Sequence, residues 1–400
     1  MLSLDKIYHA QEVLKDALRD TDILHSHVLS SITGCELYLK PENLQRTGSF
    51  KVRGAYYKIS KLSEEEKKRG VIACSAGNHA QGVALSSKKF GIQAKICMPN
   101  GAPISKVEAT KGYGAEVILV PGVYDDAHSE AERLQKKYGY TFIHPFDDED
   151  VIAGQGTIGL EILKQLEDVD IIVVPVGGGG LVAGVAYAAK SLNPKVKVYG
   201  VQSTGAPSML NSLHDGYVET LPSVSTIADG IAVKRPGSIT FDLCSKYVDD
   251  IVSVTDDQVS TAILTLIEKQ KMIAEGAGAV SLAAVMFNKI PDFKGKKVCC
   301  IVSGGNIDVT ILSRVINRGL LTSGRCCNIT VELIDRPGRL VEILSIVAKC
   351  GANVTSVLHE RSAEGADIND CYVKIDIETR NFAHIKEIKD ELKANGFKLL

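Results

Sequence analysis

The 400-residue sequence has no tryptophan, no long apolar run, no marked excess of charge of one sign and no two cysteines in C-x-x-C spacing. Its 46 basic and 48 acidic side chains nearly balance, so we expect no nucleic-acid partner. No apolar stretch reaches membrane-spanning length, and the amino-terminal segment "MLSLDKIYHAQEVLKDALRD" contains no apolar signal core. We therefore expect no membrane contact and a cytoplasmic location.

The ten cysteines are scattered or directly adjacent, as at Cys299-Cys300 and Cys326-Cys327. This spacing matches neither a disulfide framework nor a zinc site, so reduced thiols, mostly in core strands, are expected. The scattered carboxylates form no recognisable cage, and the sequence leaves open whether a metal ion binds.

Between about Ile32 and Arg318, β-branched runs alternate with segments of helical period, which indicates an α/β fold with an open parallel sheet. Several runs are apolar throughout, as strands covered on both faces are. The predicted strands are CELYL, GVIAC, AKICM, AEVILV, DIIVVPV, VKVYGVQ, DIVSV and KVCCIVS. The predicted helices span 78–90, 124–138, 153–166, 181–191, 256–271 and 307–318.

From Asn328 onward the pattern changes to a β-α-β-β-α-β order. The predicted elements are strand 329–333, helix 338–349, strand 353–360, strand 371–377, helix 382–395 and a short final strand. This is the ferredoxin-like plan, which forms a self-contained domain. We therefore predict a first domain over 1–320, a linker over 321–327 and a second domain over 328–400.

The segment "PVGGGGLVAG" follows an apolar strand and opens a helix. Its glycines, Gly177 to Gly180, can bring backbone N–H groups close to an anion at a positive helix terminus, so we favour a phosphate site. A plain tight turn is the simpler alternative. A dinucleotide fingerprint also fits formally, but it requires an acid after the next strand, where this chain has Gln202.

Two further strand-to-helix junctions carry polar residues. "ACSAGNHAQG" offers Ser75, Asn78, His79 and backbone N–H groups to a carboxylate. The alternative is a helix cap by Ser75 or Asn78 with an ordinary surface or packed histidine, and for His79 alone that alternative is favoured. "CIVSGGNID" alone is a turn signal. Lys51, in "TGSFKVRG", is by itself an ordinary solvated lysine, but beside a phosphate loop and a carboxylate loop it becomes a candidate amine nucleophile.

An aldehyde cofactor that carries a phosphate and forms a Schiff base with lysine is pyridoxal phosphate. Over roughly residues 5–320 the sequence resembles the fold type II (tryptophan-synthase-β-like) pyridoxal-phosphate enzymes, and among them the threonine dehydratases. Four ordered motifs carry the resemblance: "KPENLQRTGSFKVRG", "SAGNHAQG", "GGGGL" and "SGGN". It implies a two-lobed catalytic domain in which about 52–148 form a smaller inserted lobe.

The resemblance also implies roles for individual residues. Lys51 would bind the cofactor aldehyde and act as the catalytic base, Phe50 would pack on the cofactor ring, and Ser303 would face its nitrogen. The resemblance places Asn78 at the phenolic oxygen of the cofactor. It places Gly177, Gly178, Gly179, Gly180 and Leu181 at the phosphate. Further walls of the pocket would be "TIADG", around Gly230, and "EGAGA", which begins at Glu275. The implied substrate-carboxylate residues are Ser75, Ala76, Gly77, Asn78 and His79.

The implied reaction converts L-threonine to 2-oxobutanoate and ammonia, and L-serine to pyruvate. Serine dehydratase and serine racemase of the same fold are the alternatives. The racemases carry "SSGN" in the carboxylate loop, whereas this chain has Ala76, which has no proton to transfer, so elimination is favoured over racemisation.

The carboxy-terminal domain resembles an ACT domain, a regulatory module, on "IDRPGRLVEILSIVAKCGANV". Its effector turn would be Asp335, Arg336, Pro337 and Gly338, and its effector isoleucine or valine, with the nucleotide AMP as the alternative. A homodimer or homotetramer is expected. An amino-acid sensor with a vestigial catalytic body and, more weakly, a nicotinamide dehydrogenase are the rival functions.

Overall fold

In a computed structural model, which describes residues 1–361 and 370–400, the β-branched runs of the sequence form strands. All eight strands predicted for the α/β region are confirmed. The strands are β1 Leu24–His25, β2 Glu36–Lys40, β3 Val71–Cys74, β4 Ala94–Pro99, β5 Glu116–Val120, β6 Thr141–Phe142, β7 Ile171–Pro175, β8 Lys197–Ser203, β9 Asp250–Val254, β10 Lys297–Ile301, β11 Cys326–Ile334, β12 Asn353–Glu360, β13 Asp370–Glu378 and β14 Lys398–Leu399.

The segments of helical period form helices, many of which begin at a polar cap. The helices are α1 Leu4–Leu14, α2 His27–Thr33, α3 Lys51–Ser60, α4 Glu64–Arg69, α5 Asn78–Lys89, α6 Ile104–Gly112, α7 Tyr124–Tyr138, α8 Glu149–Gln165, α9 Gly180–Leu192, α10 Ser208–Asp215, α11 Ser238–Tyr247, α12 Asp256–Thr265, α13 Gly276–Met286, α14 Val309–Thr322, α15 Arg339–Lys349 and α16 Phe382–Ala394. Helix α8 begins earlier than its predicted start at Ala153, because the Asp148 carboxylate accepts the backbone N–H groups of Asp150 and Val151.

Two sheets organise the first of two compact units, Met1–Leu312. The larger sheet has the order β1-β2-β10-β7-β8-β9, parallel except at β1, and the smaller has the parallel order β5-β4-β3-β6. Parallel strands end at one edge of their sheet, so the loops that follow β3, β6, β7 and β10 are the places to look for a site.

The core of this unit follows the sheets. A large apolar cluster joins α8 and α9 to strands of the larger sheet, as at Ile158, Val182 and Ile172, and a second cluster covers one face of the smaller sheet. Within the described residues, no helix is both long and apolar enough to cross a bilayer.

The second compact unit spans Ser313–Leu400. Its antiparallel sheet has the order β12-β13-β11-β14, and its core includes residues of α15 and α16 such as Ile343 and Ile388. This is the predicted ferredoxin-like plan. Residues 323–325 separate α14 from β11, a shorter connection than the predicted linker because the helix continues to Thr322.

Candidate active site

The segments that follow β2, β6 and β10 meet in the first unit. The backbone N–H of Phe50 donates to the carbonyl of Ser303 at 3.1 Å, beside a bridge between Ser49 and Gly304. The Lys51 Nζ donates to the carbonyl of Pro145 at 2.8 Å. The lysine motif therefore lies against the segment after β10 and the segment after β6.

Lys51 is a partly buried amine at the start of α3. Its Nζ lies 5.3 Å from the centroid of the Phe50 ring. Desolvation lowers the pKa of Lys51 to about 8, although the Glu275 carboxylate opposes this shift. A large neutral fraction at mildly basic pH is the state that a nucleophile or a base requires.

A strained turn places Lys51. Thr47 and Gly48 both have positive φ, 64° and 70°, and a threonine rarely adopts this conformation without support. Asn306 supplies that support, because its Nδ2 donates to the Thr47 carbonyl at 2.6 Å, and Gly305 N–H donates to the Gly48 carbonyl at 2.9 Å.

Asn78 lies in a partly buried polar network. Its Nδ2 donates to Glu275 Oε1 at 2.6 Å, and its Oδ1 accepts from Asn306 Nδ2 at 2.8 Å. An amide nitrogen carries two N–H groups, and the bond to Glu275 uses one of them. Burial, and secondarily the charge of Asp229, raises the pKa of Glu275 to about 7. Glu275 was predicted only as part of a pocket wall, and the structure gives it a direct contact with Asn78.

Ser303 is almost fully buried at the end of β10. Its Oγ donates to the carbonyl of Ala277 at 3.2 Å, a long hydrogen bond. A hydroxyl has one proton and two lone pairs and carries no charge, so Ser303 would offer the cofactor ring nitrogen a neutral hydrogen-bonding partner.

Gly230, the other predicted wall residue, lies close to the side chains of α13 and its cap. A Cβ added at Gly230 would lie 3.0 Å from Ala277 Cβ and 3.2 Å from Glu275 Oε1.

The predicted carboxylate loop connects β3 to α5. Ser75 and Ala76 are partly buried, and Ser75 Oγ accepts the N–H of Gly77 at 3.2 Å. His79 lies in the first turn of α5, with its Nε2 at 2.8 Å from the Ile143 carbonyl. Burial lowers the pKa of His79 to about 3, so the ring is neutral and Nε2 carries the proton that bonds the carbonyl. The ring is a packed histidine, and backbone N–H groups are the donors this loop offers to a carboxylate.

The predicted phosphate loop connects β7 to α9. Gly179 has φ of 100° and caps the helix, a conformation that favours glycine. A Cβ at Gly178 would lie 2.5 Å from the Phe146 ring, so glycine is required there by close approach. Leu181 packs its side chain in the core, leaving its backbone at the helix start. The backbone N–H groups of the glycine loop lie at the start of a 13-residue helix, where the positive end of the helix favours an anion.

Residues 144–147 were not predicted from the sequence. This segment contacts Lys51 through the Pro145 carbonyl and the glycine loop through the Phe146 ring. The segment follows β6, a two-residue strand that was itself not predicted, so its position at the sheet edge was not apparent from the sequence.

In the second unit, residues 335–338 form the predicted turn directly before α15, with Gly338 at φ of 93°. Asp335 is ion-paired with Arg361, from carboxylate to Nε at 2.9 Å, and lies 3.8 Å from His359 Nε2. These contacts describe the turn, and the effector role of its residues stays a prediction.

The site fits pyridoxal phosphate by its own chemistry. A partly buried amine of lowered pKa suits the aldehyde, and the glycine loop, too narrow for any Cβ at Gly178, suits the phosphate. The profile of the "pyridoxal-phosphate dependent enzyme" family matches residues 14–304. The chain belongs to this family and depends on pyridoxal phosphate.

Among its relatives, the sequence is 54% identical over 399 residues to an L-threonine ammonia-lyase of Thermotoga maritima, covering 100% of this chain and 99% of that protein. Among solved structures, it is similar to threonine deaminase isoform 2 of Solanum lycopersicum, with TM-score 0.74, 40% identity and coverage of 78% of this chain and 93% of that one. Maize serine racemase has TM-score 0.75 and 36% identity, with coverage of 80% and 98%.

Proposed function

We propose that the chain is an L-threonine ammonia-lyase that converts L-threonine to 2-oxobutanoate and ammonia. The observation that carries this proposal is the Lys51 amine of lowered pKa, held beside a loop that can bind a carboxylate and a loop that can bind a phosphate. The identity to the Thermotoga enzyme over the whole chain supports the same substrate.

Pyridoxal phosphate, when bound, supplies an electron sink for negative charge at the substrate α-carbon. Lys51 supplies the base, because a neutral amine accepts the α-proton at Nζ. The Pro145 carbonyl, 2.8 Å from Nζ, holds the free amine in one direction. The first turn of α5 and the backbone N–H groups of residues 75–79 orient the substrate carboxylate. Ser303 offers a neutral hydroxyl to the cofactor ring nitrogen.

Elimination is favoured over racemisation because racemisation requires a second proton carrier on the opposite face of the α-carbon. Ala76 occupies the loop position where the racemases of this fold carry a serine, and a methyl group transfers no proton. The similarity to maize serine racemase is therefore attributed to the shared fold. L-serine is proposed as a second substrate that yields pyruvate.

The remaining proposals concern regulation and assembly. The catalytic domain is assigned to 1–320, with about 52–148 as its smaller lobe, followed by a linker and an ACT domain over 328–400. Isoleucine or valine, or alternatively AMP, is the proposed effector. The ferredoxin-like sheet order of the second unit supports the ACT assignment. A cytoplasmic homodimer or homotetramer is proposed.

The test is a product assay with L-threonine and L-serine, with and without isoleucine, valine and AMP. We expect 2-oxobutanoate from threonine, pyruvate from serine, and little D-serine. Lys51→Ala should lower turnover by about 10³-fold, because it removes both the nucleophile and the base. Lys61→Ala, at the exposed end of the same helix, should retain wild-type turnover.

Two outcomes would contradict the proposal. D-serine as the main product would assign the chain to the racemases in spite of Ala76. Absence of turnover in cofactor-loaded protein would instead favour an amino-acid sensor with a vestigial catalytic body.

A further inference from the structure

Asp147 joins the segment after β6 to the start of α11. Its Oδ1 accepts the backbone N–H of Ile239 at 2.9 Å and of Thr240 at 3.2 Å, and its Oδ2 accepts that of Ser238 at 3.0 Å. A carboxylate that accepts three N–H groups at a helix amino terminus is a strong cap, because it satisfies free donors and meets the positive end of the helix.

The same helix start holds the glycine loop. Thr240 Oγ1 donates to the Gly178 carbonyl at 2.6 Å, and Gly237 N–H donates to it at 3.2 Å. The peptide bond between Gly178 and Gly179 is trans, so its carbonyl and the Gly179 N–H point in opposite directions. A carbonyl held toward α11 therefore fixes the Gly179 N–H on the side away from α11.

The segment that carries Asp147 is itself rigidly held. His144 Nδ1 accepts the N–H groups of Phe146 at 3.2 Å and Asp147 at 2.7 Å. Burial lowers the pKa of His144 to about 4, so the ring stays neutral and keeps this acceptor at neutral pH. The Phe146 ring packs against Gly178, close enough that no side chain fits there.

We propose that Asp147 and Thr240 are positioning residues for the cofactor phosphate. They act through α11 and the Gly178 carbonyl, and they keep the Gly179 N–H aimed for an anion before the cofactor binds. The inference rests on the proposed phosphate role of the glycine loop and deepens it, because it names the contacts that orient this run of glycines. Neither residue needs to touch the cofactor.

The test compares how tightly the apoprotein binds pyridoxal phosphate and pyridoxal, which lacks the phosphate. Both aldehydes use Lys51, so the ratio of the pyridoxal dissociation constant to the pyridoxal phosphate dissociation constant isolates the phosphate contribution. Thr240→Val removes the hydroxyl at nearly constant shape, and we expect it to weaken pyridoxal phosphate binding by about tenfold while pyridoxal binding is unchanged. Thr240→Ser keeps the hydroxyl and should restore the wild-type ratio. Asp147→Ala should also weaken the binding of pyridoxal phosphate relative to that of pyridoxal, and so lower this ratio.

The matched control is Thr255→Val. Thr255 caps α12 through a hydrogen bond from the Gln258 N–H, so this variant also loses a threonine hydroxyl at a helix start. It should lower thermal stability and keep the ratio of the two dissociation constants. The inference is overturned if Thr240→Val, folded by circular dichroism, retains the wild-type ratio, or if Thr255→Val lowers the ratio equally. A wild-type protein that binds both aldehydes equally would overturn the phosphate role of the loop itself, a result distinct from loss of turnover.

Discussion

At the scale of single residues, Lys51 and Glu275 influence each other's pKa. Burial favours the neutral form of both groups, and it outweighs their mutual attraction: the pKa of Lys51 is lowered to about 8 and that of Glu275 is raised to about 7. The Glu275 carboxylate nevertheless stabilises the Lys51 ammonium, so it limits how far the lysine pKa falls.

The substitution Glu275→Gln tests this coupling. The amide oxygen can still accept from Asn78, but the negative charge is gone, so the pKa of Lys51 should fall further below 8. The initial rate at which apoprotein captures pyridoxal phosphate rises with pH as Lys51 loses its proton, and its midpoint should move to lower pH in the variant. Glu65→Gln, on the exposed helix α4, should keep the wild-type midpoint. An unchanged midpoint in Glu275→Gln would refute the coupling.

The residues of the site differed in how well the sequence predicts them. Lys51, Asn78 and Ser303 lie in motifs, and the structure places all three in the first unit beside one network. Pro145 contributes its backbone carbonyl, so its side chain carries no chemical signal. Asp147 acts by capping a helix that begins 91 residues later in the chain, a contact that no local pattern reveals.

At the scale of helices and strands, a buried ion cluster fixes the helix that begins with Lys51. Arg53 forms a two-point pair with Glu42, Nε to Oε2 and Nη2 to Oε1, both at 2.7 Å, and it also pairs with Glu161 at 2.5 Å. Lys40 contacts Glu161 at 2.6 Å, and the nearby cations lower the pKa of Glu161 to about 2, against the opposing effect of burial. The cluster joins α3 to the segment after β2 and to α8.

Arg53→Met should therefore destabilise the protein strongly. It leaves the buried Glu42 carboxylate without its cation, and loss of one partner of a buried ion pair costs about 3–5 kcal/mol. Denaturant unfolding of the variant should show this loss in the free energy of unfolding. Arg133→Met removes an exposed pair with Glu130 and should have little effect. A small loss for Arg53→Met would show that the cluster does not stabilise α3.

Most strands and several helices could be predicted because the apolar residues of each type of element recur with a characteristic spacing along the sequence. Eight of the ten strands of the first unit follow from β-branched runs, whereas the two-residue strands β1 and β6 were not predicted. The ferredoxin-like order follows from the sequence after Asn328. The start of α8 was misjudged by several residues, because the cap at Asp148 lies before the apolar periodic segment. The positive φ of Thr47 was not predictable, since it depends on a hydrogen bond from the distant Asn306.

At the scale of the whole molecule, the chain combines a region that matches the pyridoxal-phosphate dependent enzyme family with a second compact unit. The family match ends at residue 304, whereas the similarity to the Thermotoga enzyme extends over the entire chain and so includes the ferredoxin-like unit. The order of motifs along the sequence was sufficient to predict the family. The effector and the number of subunits depend on surfaces between molecules, which the pattern of a single chain does not encode.

We expect Lys51 to be the residue that binds the cofactor covalently. Borohydride reduction of the cofactor-loaded protein makes the bond between lysine and pyridoxal phosphate permanent, and peptide mass mapping then locates it. We expect one phosphopyridoxyl group per chain, on the peptide that contains Lys51, and none on that peptide in Lys51→Ala. A label on another lysine of the wild-type protein would refute the assignment of Lys51.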